Sequence, residues 1–280
     1  MRRALLAAIL SGLLCACSPL GALNVLVSER GFVRHADIAY GEGTRGKLDV
    51  YVPRGDSSTA RPVVVFFYGG GWQSGRREDH LFIAEALCAR GYVVVIPDYR
   101  LYPEVKYPAF IEDGARAVAW TAANIGKYGG DARALVLMGH SAGAHIAAML
   151  AYNRRFVDGD LRSRVKAMVG LAGPYDFTPD EPPIIALLSG EGDPDRTMPA
   201  RYVRGGEPPS LLVTGDADAR VNPSNTERLA RQLKQVGSPV EVKVYPGMGH
   251  PGALLGLSAP FRNERLLDDI DAFIRAALAR

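Results

Sequence analysis

The feature that most constrains the fold is residues 135–150, where an apolar run enters a Gly-x-Ser-x-Gly turn and a helix-period run leaves it. This pattern predicts a strand, a sharp turn and a helix. Gly139 and Gly143 fit such a turn because a Cβ at either point would clash with the crowded backbone. Ser141 is therefore expected at a strained position, with its Oγ exposed at the end of the strand. The amide of Ala142 would begin the helix, where unpaired N–H groups favour a developing negative charge.

The composition is that of one globular domain. The chain has 280 residues, of which 48% are hydrophobic and 8% aromatic, and this is enough for a single large core. It carries 33 basic and 30 acidic residues, and no run of like charge stands out. This balance argues against nucleic acid as a partner.

The N-terminus differs from the rest and predicts export. Two arginines precede an apolar run over 4–14 that is too short to span a bilayer, so residues 1–17 are typical of a secretory signal. Residues 14–18 resemble a bacterial lipobox with Cys17 as the lipidated residue, although Cys15 replaces the usual small residue. The protein is then an envelope lipoprotein anchored to the membrane through Cys17. The alternative is an ordinary cleaved signal peptide and a periplasmic protein.

The remaining cysteine, Cys88, lies in an apolar helical pattern. With only Cys17 as a possible second thiol after the signal, we expect no intramolecular disulfide. Cys88 is expected to be a buried small hydrophobic residue.

The order of predicted elements gives the fold class. Strands alternate with helices, which predicts βαβ units and a doubly wound, mostly parallel sheet in one domain over 18–280. The predicted strands cover 37–41, 47–53, 62–67, 92–96, 134–138, 165–171, 211–214 and 240–245, and the predicted helices cover 78–90, 108–125, 223–236 and 263–278. Residues 173–209 are rich in Pro, Gly and Asp and predict a small lid over the carboxyl ends of the strands.

A serine hydroxyl needs a histidine to accept its proton and a carboxylate to orient that histidine. His250 is the candidate base among five histidines because it lies in a loop directly after the last predicted strand. His140 and His145 flank the serine but are expected to point elsewhere. For the carboxylate, Asp216 and Asp218 both follow the penultimate predicted strand. Asp218 is preferred because Asp216 directly follows Gly and is placed to bond backbone amides of the turn, but position alone leaves Asp216 open.

A second glycine-rich stretch, 68–72, follows the buried strand predicted over 62–67. Its sequence is Tyr-Gly-Gly-Gly-Trp. Glycines at this point let the backbone approach a substrate oxygen closely, with N–H groups directed at it. The stretch is therefore predicted to supply the other half of an oxyanion hole.

Together these motifs resemble those of α/β-hydrolases of the carboxylesterase type, near the hormone-sensitive-lipase-like and feruloyl-esterase-like bacterial esterases. The matching segments, in family order, are 68–72, 97–101, 139–143, 215–218 and 249–250. The resemblance implies an α/β-hydrolase fold with the acid between the serine and the histidine in chain order.

By the same resemblance, Asp218 is the triad acid, and the amides of Gly70, Gly71 and Ala142 form the oxyanion hole. Tyr68 departs from the family, which has His there, so the side-chain hydrogen bond that normally rigidifies this loop is in question. The segment before the first strand is too short for a large N-terminal cap, which predicts an open site. Asp98 and Arg100 of the second motif are expected to form a structural ion pair.

The leading hypothesis is a serine carboxylic-ester hydrolase that acts on short-chain esters through Ser141, Asp218, His250 and an acyl-enzyme. Its partner is a small-molecule ester, and no metal or organic cofactor is expected. One alternative is an amide hydrolase of the arylformamidase type on the same triad. Another is a catalytically silent envelope-binding protein.

Overall fold

The computed structural model describes residues 19–280, so the predicted signal at 1–17 and its Cys17 lie outside the described residues. Within this range eight strands form a single sheet. The strands are β1 Phe32–Ala39, β2 Lys47–Pro53, β3 Arg61–Phe67, β4 Val93–Pro97, β5 Gly130–His140, β6 Val165–Leu171, β7 Ser210–Gly215 and β8 Val240–Tyr245.

The sheet order is β1-β2-β4-β3-β5-β6-β7-β8. Strand β2 is antiparallel to both of its neighbours, and every pair from β4 to β8 is parallel. The expectation of a doubly wound, mostly parallel sheet is confirmed. Because the parallel strands share one direction, the loops after β3, β5, β7 and β8 all leave the same edge of the sheet.

Helices cover both faces of the sheet. The α-helices of the described chain are α1 Pro19–Leu23, α2 Leu81–Cys88, α3 Ala109–Asn124, α4 Ala142–Tyr152, α5 Gly159–Arg164, α6 Pro182–Leu188, α7 Ser224–Gln235, α8 Gly252–Leu255 and α9 Glu264–Leu278. Every residue of α4 is buried, which fixes the segment after the serine in the core. Helix α7 instead buries one stripe that includes Leu229 and Leu233.

The continuous apolar runs form strands that are buried on both faces of the sheet. All of β4 is buried, as are residues 63–67 of β3. Cys88, at the end of α2, is buried with a free thiol, as expected. Burial raises the pKa of this thiol to about 12.

The chain between β6 and β7 contains residues 173–209, the segment predicted as a lid. It forms α6 and three short 3-10 turns, and it is bonded to the body at several points. The amide of Tyr107 donates to the carbonyl of Leu187 over 2.8 Å. The imidazole Nε2 of His145 lies 2.6 Å from the carbonyl oxygen of Thr197. These bonds hold the segment against α4 and the loop before α3.

Some boundaries differ from the predictions. Strand β1 begins at Phe32 rather than at residue 37, and His35 lies inside it. The register of β1 on β2 shifts between His35 and Ile38, and Asp37 adopts a positive φ of 60°. This bulge interrupts the alternation of side chains, which is why the sequence pattern showed only the second half of the strand. Helices α5 and α8 were not predicted. Across residues 19–280, no helix has both the length and the apolar character needed to cross a membrane.

Candidate active site

Ser141 lies in the turn between β5 and α4 with φ 55° and ψ −122°, a strained conformation for a residue with a side chain. The glycines around it are required by close approach. A Cβ on Gly139 would overlap the carbonyl of Gly143, and a Cβ on Gly143 would overlap the carbonyl of Phe67. The turn therefore has the shape that the sequence predicted.

The structure joins Ser141, His250 and Asp218 through two hydrogen bonds. Nε2 of His250 lies 2.9 Å from the Ser141 Oγ, and its Nδ1 lies 2.9 Å from Oδ2 of Asp218. Since the carboxylate only accepts, the imidazole proton is on Nδ1, and Nε2 is free to accept from the serine hydroxyl. The three side chains come from the ends of β5, β7 and β8, which the fold brings to one edge.

Burial and two backbone hydrogen bonds fix the orientation of the Asp218 carboxylate. Its side chain has no exposed area. Its Oδ1 accepts the backbone amides of Arg220 and Val221 over 2.9 and 2.8 Å. These bonds leave Oδ2 directed at His250.

Asp216 has a different environment. It is exposed, and its Oδ1 accepts the amide of Gly247 over 2.7 Å. It thus ties the loop after β7 to the loop after β8, rather than bonding amides of its own turn. Of the two aspartates, only Asp218 is within hydrogen-bond distance of His250 in the described chain.

The glycine-rich loop after β3 passes close to the serine. Gly70 and Gly71 have φ values of 119° and 61°. The Gly70 carbonyl accepts the amides of Gln73 and Ser74, each over 3.1 Å, so it is turned into its own loop. Gly71 lines the cleft beside Ala142 and Ser141, whereas Gly70 is not among the lining residues.

Tyr68 anchors this loop in place of the family's histidine. Its hydroxyl donates to Oδ1 of Asp98 over 2.7 Å and accepts from the Arg45 guanidinium over 3.2 Å. Its own carbonyl accepts the hydroxyl of Tyr99 over 2.8 Å. The Tyr68 side chain therefore ties this loop to Arg45 and to Asp98 at the end of β4.

Asp98 and Arg100 do not pair with each other, and that expectation was wrong. The Asp98 carboxylate binds the guanidinium of Arg77, while Arg100 forms a two-pronged pair with Asp113 at 2.8 to 3.2 Å. Both pairs are structural, because neither carboxylate contacts Ser141. Arg77 also binds Asp49, so it is the centre of a buried ionic cluster beneath the loop after β3.

A cleft of about 250 Å³ opens over the serine. Its apolar lining residues come mainly from the loop after β3 and from the segment between β6 and β7, and polar side chains line it as well. The lining residues are Gly71, Trp72, Ser141, Ala142, Pro174, Phe177, Thr178, Asp180, Glu181, Ile184, Arg220, Val221, Asn222 and Asn225. Two of these residues, Arg220 and Glu181, form an ion pair at 3.4 Å. The predicted lid thus forms one wall of the cleft.

His140 does not point away from the site, and this expectation was also wrong. Its Nε2 lies 3.1 Å from the carbonyl oxygen of His250, and the two rings are 5.0 Å apart at their centroids. His145 does point away, toward the carbonyl of Thr197. The available signal for His140 was its place at the end of β5, where the neighbouring loops converge.

Burial holds both flanking histidines neutral. It lowers the pKa of His140 to about 3, with a further contribution from nearby His250, and that of His145 to about 4. Over residues 19–280, His, Cys, Asp and Glu side chains form no group of three or more suited to a metal ion.

The sheet order with an antiparallel second strand and the sharp serine turn at the end of β5 define an α/β-hydrolase fold. The chain belongs to the BD-FAE family, whose model matches residues 48–233. The model of the prolyl oligopeptidase family matches residues 193–280, a stretch that includes Asp218 and His250 but not Ser141.

Known esterases are among its relatives. A probable isoprenylcysteine alpha-carbonyl methylesterase of Oryza sativa subsp. japonica is 28% identical over 262 residues, covering 85% of this chain and 63% of the relative. Esterase LipC of Mycobacterium tuberculosis is 29% identical over 250 residues, covering 81% of this chain and 62% of the relative. The chain thus spans about three fifths of the length of these relatives.

The fold is shared with solved esterase structures. A truncated carbohydrate esterase from gut microbiota superposes with a TM-score of 0.77, covering 90% of this chain and 99% of that one, at 21% identity. At this identity the likeness shows the fold alone.

Proposed function

We propose that this chain hydrolyses carboxylic esters of short acyl groups, with Ser141 as nucleophile, His250 as base and Asp218 as orienting acid. The observation that carries this proposal is the unbroken line of two 2.9 Å hydrogen bonds from the serine hydroxyl through the imidazole to the carboxylate. It has the donor and acceptor order that nucleophilic catalysis by serine requires.

In the acylation step, the Ser141 Oγ attacks the ester carbonyl while Nε2 of His250 takes the hydroxyl proton. Asp218 stabilises the imidazolium that forms and keeps its tautomer. His250 then gives the proton to the departing alkoxide. The alcohol dissociates, and the acyl group remains bonded to the Ser141 Oγ. Water attacks this acyl-enzyme with the same histidine as base, releasing the acid and restoring the serine.

The negative charge that develops on the carbonyl oxygen is proposed to be bound by the amides of Gly71 and Ala142, with Gly70 shaping the loop and adding its own amide. Support comes from the position of Gly71 and Ala142 beside Ser141 in the cleft wall. Ala142 begins α4, and the first amides of a helix have no partner inside it.

The preference for short acyl groups rests on the size of the cleft. A volume of about 250 Å³ is below the usual 300 to 1,000 Å³ of small-molecule pockets. Phe177 and Ile184 are among the apolar residues that line it. Ester rather than amide chemistry is supported by the relatives, which are named as esterases and a methylesterase.

A panel of p-nitrophenyl esters from acetate to palmitate, with an N-formyl anilide beside it, tests the proposal. We expect the highest kcat/KM for acetate or butyrate, a clear fall by octanoate, and much slower turnover of the formamide. Preference for palmitate would refute the short-chain assignment. Faster turnover of the formamide would make the chain an amide hydrolase of the arylformamidase type.

We also propose that the protein is exported and anchored by lipid on Cys17. The basic start, the short apolar run over 4–14 and the lipobox-like residues 14–18 support this. Such an anchor would hold the domain at a membrane surface.

A further inference from the structure

His140, the residue before the nucleophile, touches the loop that carries the base. Its Nε2 lies 3.1 Å from the backbone carbonyl oxygen of His250. A carbonyl oxygen only accepts, so the proton of the His140 ring is on Nε2 and is donated to that carbonyl. The bond joins the end of β5 to the loop after β8, two segments that are 110 residues apart in the chain.

This imidazole is confined on its other side by the glycine-rich loop. A Cβ placed on Gly69 would lie 3.0 Å from Nδ1 of His140 and 3.1 Å from the Cβ of Ser141. The ring therefore lies between the loop after β3 and the loop after β8 and is close to both.

His140 can perform this role only as a neutral ring. Burial lowers its pKa to about 3. The titratable groups that face it are His250 and His80, whose protonated forms lower this pKa further, and Asp218, which raises it. A cation at this position would oppose formation of the His250 imidazolium, whose ring centroid is 5.0 Å away. The neutral donor therefore fixes the loop without an electrostatic penalty on the base.

We propose that His140 is a positioning residue for the base: it holds the backbone of His250 so that Nε2 of that ring stays within bonding distance of the Ser141 Oγ. This inference rests on the proposed ester hydrolysis. Because His140 does not line the cleft, its loss should lower kcat and leave KM nearly unchanged. A displacement of reacting groups by about 1 Å can reduce the rate about 100-fold.

The test compares His140→Leu, His140→Gln and His145→Leu with the wild type. Leucine removes the donor, whereas the glutamine amide can still donate to the His250 carbonyl. His145→Leu is the matched control, because His145 is likewise a buried neutral histidine whose Nε2 also bonds a backbone carbonyl, that of Thr197. The readouts are kcat and KM for p-nitrophenyl butyrate, the rate of labelling by a fluorophosphonate, and the urea unfolding midpoint.

We expect His140→Leu to lose about 10- to 100-fold in kcat and in labelling rate, and His140→Gln to recover most of both. His145→Leu should lose similar stability with a much smaller fall in labelling rate. Equal kcat in the wild type and His140→Leu, or equal losses in the leucine and glutamine variants, would overturn the positioning role. If the wild type itself hydrolyses no ester, it is the proposed function that fails.

Discussion

The hydroxyl of Tyr68 donates to the carboxylate of Asp98 over 2.7 Å and so ties the glycine-rich loop after β3 to the end of β4. The same carboxylate oxygen accepts the amide of Arg77 over 2.8 Å. The Tyr68 ring is stacked on Tyr99 and on His80, with centroids 4.7 and 5.2 Å away. The proposed oxyanion loop is thus built on a buried ionic and aromatic support.

Tyr68→Phe should test this support. The ring stacking stays while the hydroxyl bond to Asp98 is lost, so we expect the free energy of unfolding to fall by about 1–2 kcal/mol. Because the bond holds the loop beside Ser141, kcat for p-nitrophenyl butyrate should also fall several-fold.

Tyr92→Phe is the matched control, because Tyr92 donates to the carboxylate of Asp271 over 2.6 Å. That bond joins the start of β4 to α9, at the edge of the sheet opposite the serine turn. The Tyr92→Phe variant should lose comparable stability and keep wild-type kcat. Wild-type kcat in Tyr68→Phe would show that the hydroxyl bond does not determine the position of the loop beside Ser141.

Replacing the two aspartates that follow β7 should have different effects on kcat. In Asp218→Asn the side chain no longer favours the correct tautomer of His250, and in a serine protease this change costs about 10⁴-fold in kcat. Asp216→Asn keeps an oxygen that can accept the Gly247 amide, so it should retain near-wild-type kcat with at most a modest loss of stability. Both variants are compared by kcat on p-nitrophenyl butyrate and by urea unfolding. The reverse pattern would make Asp216 the acid.

The sequence showed those parts of the site that depend on local geometry. Gly139 and Gly143 predict the serine turn because the clash that they avoid is with backbone only a few residues away or on the adjacent strand. The position of His250 followed from a short loop directly after a strand. Both predictions needed only the direction of the strands and the common edge at which they end.

The parts that the sequence did not show depend on contacts between distant segments. Arg77 was not singled out, yet it binds both Asp49 and Asp98 in the interior. His140 was expected to point away, but its partner is a backbone carbonyl 110 residues later, which no side-chain pattern marks. The hydrogen-bond and ion-pair partners of such residues depend on which distant segments pack together in the folded chain.

Acid should destabilise the protein because three buried histidines are held neutral. Burial lowers the pKa of His80, His140 and His145 to about 4, 3 and 4. In the unfolded chain they titrate near 6.5, so below that pH the unfolded state binds more protons and is favoured. Stability is complete above about pH 6.5 and decreases as the pH falls toward 4, by about 2 kcal/mol per histidine at pH 5.

Urea unfolding at pH 7.5, 6.0 and 5.0 measures this effect. The midpoint should fall steadily, and a His145→Leu variant should show a shallower decrease because it lacks one of the three groups. A midpoint that is flat or rises between pH 7.5 and 5.0 would contradict the account of buried neutral histidines.

The lipid anchor is tested by intact mass. Protein purified from the membrane fraction of a bacterial host should begin at Cys17 and carry the added mass of a diacylglycerol group. A Cys17→Ala variant should lose both the added mass and the membrane fraction. A soluble mature chain that begins at another residue would instead favour an ordinary cleaved signal.

Turnover by Ser141→Ala tests the central claim most directly. The variant should keep the wild-type unfolding midpoint, lose labelling by a fluorophosphonate, and lose about 10⁶-fold in kcat on p-nitrophenyl butyrate, as is typical when a serine hydrolase loses its nucleophile. The wild type should gain one phosphonyl group, located on Ser141 by peptide mass. Hydrolysis at the wild-type rate by pure, folded Ser141→Ala protein would contradict the account.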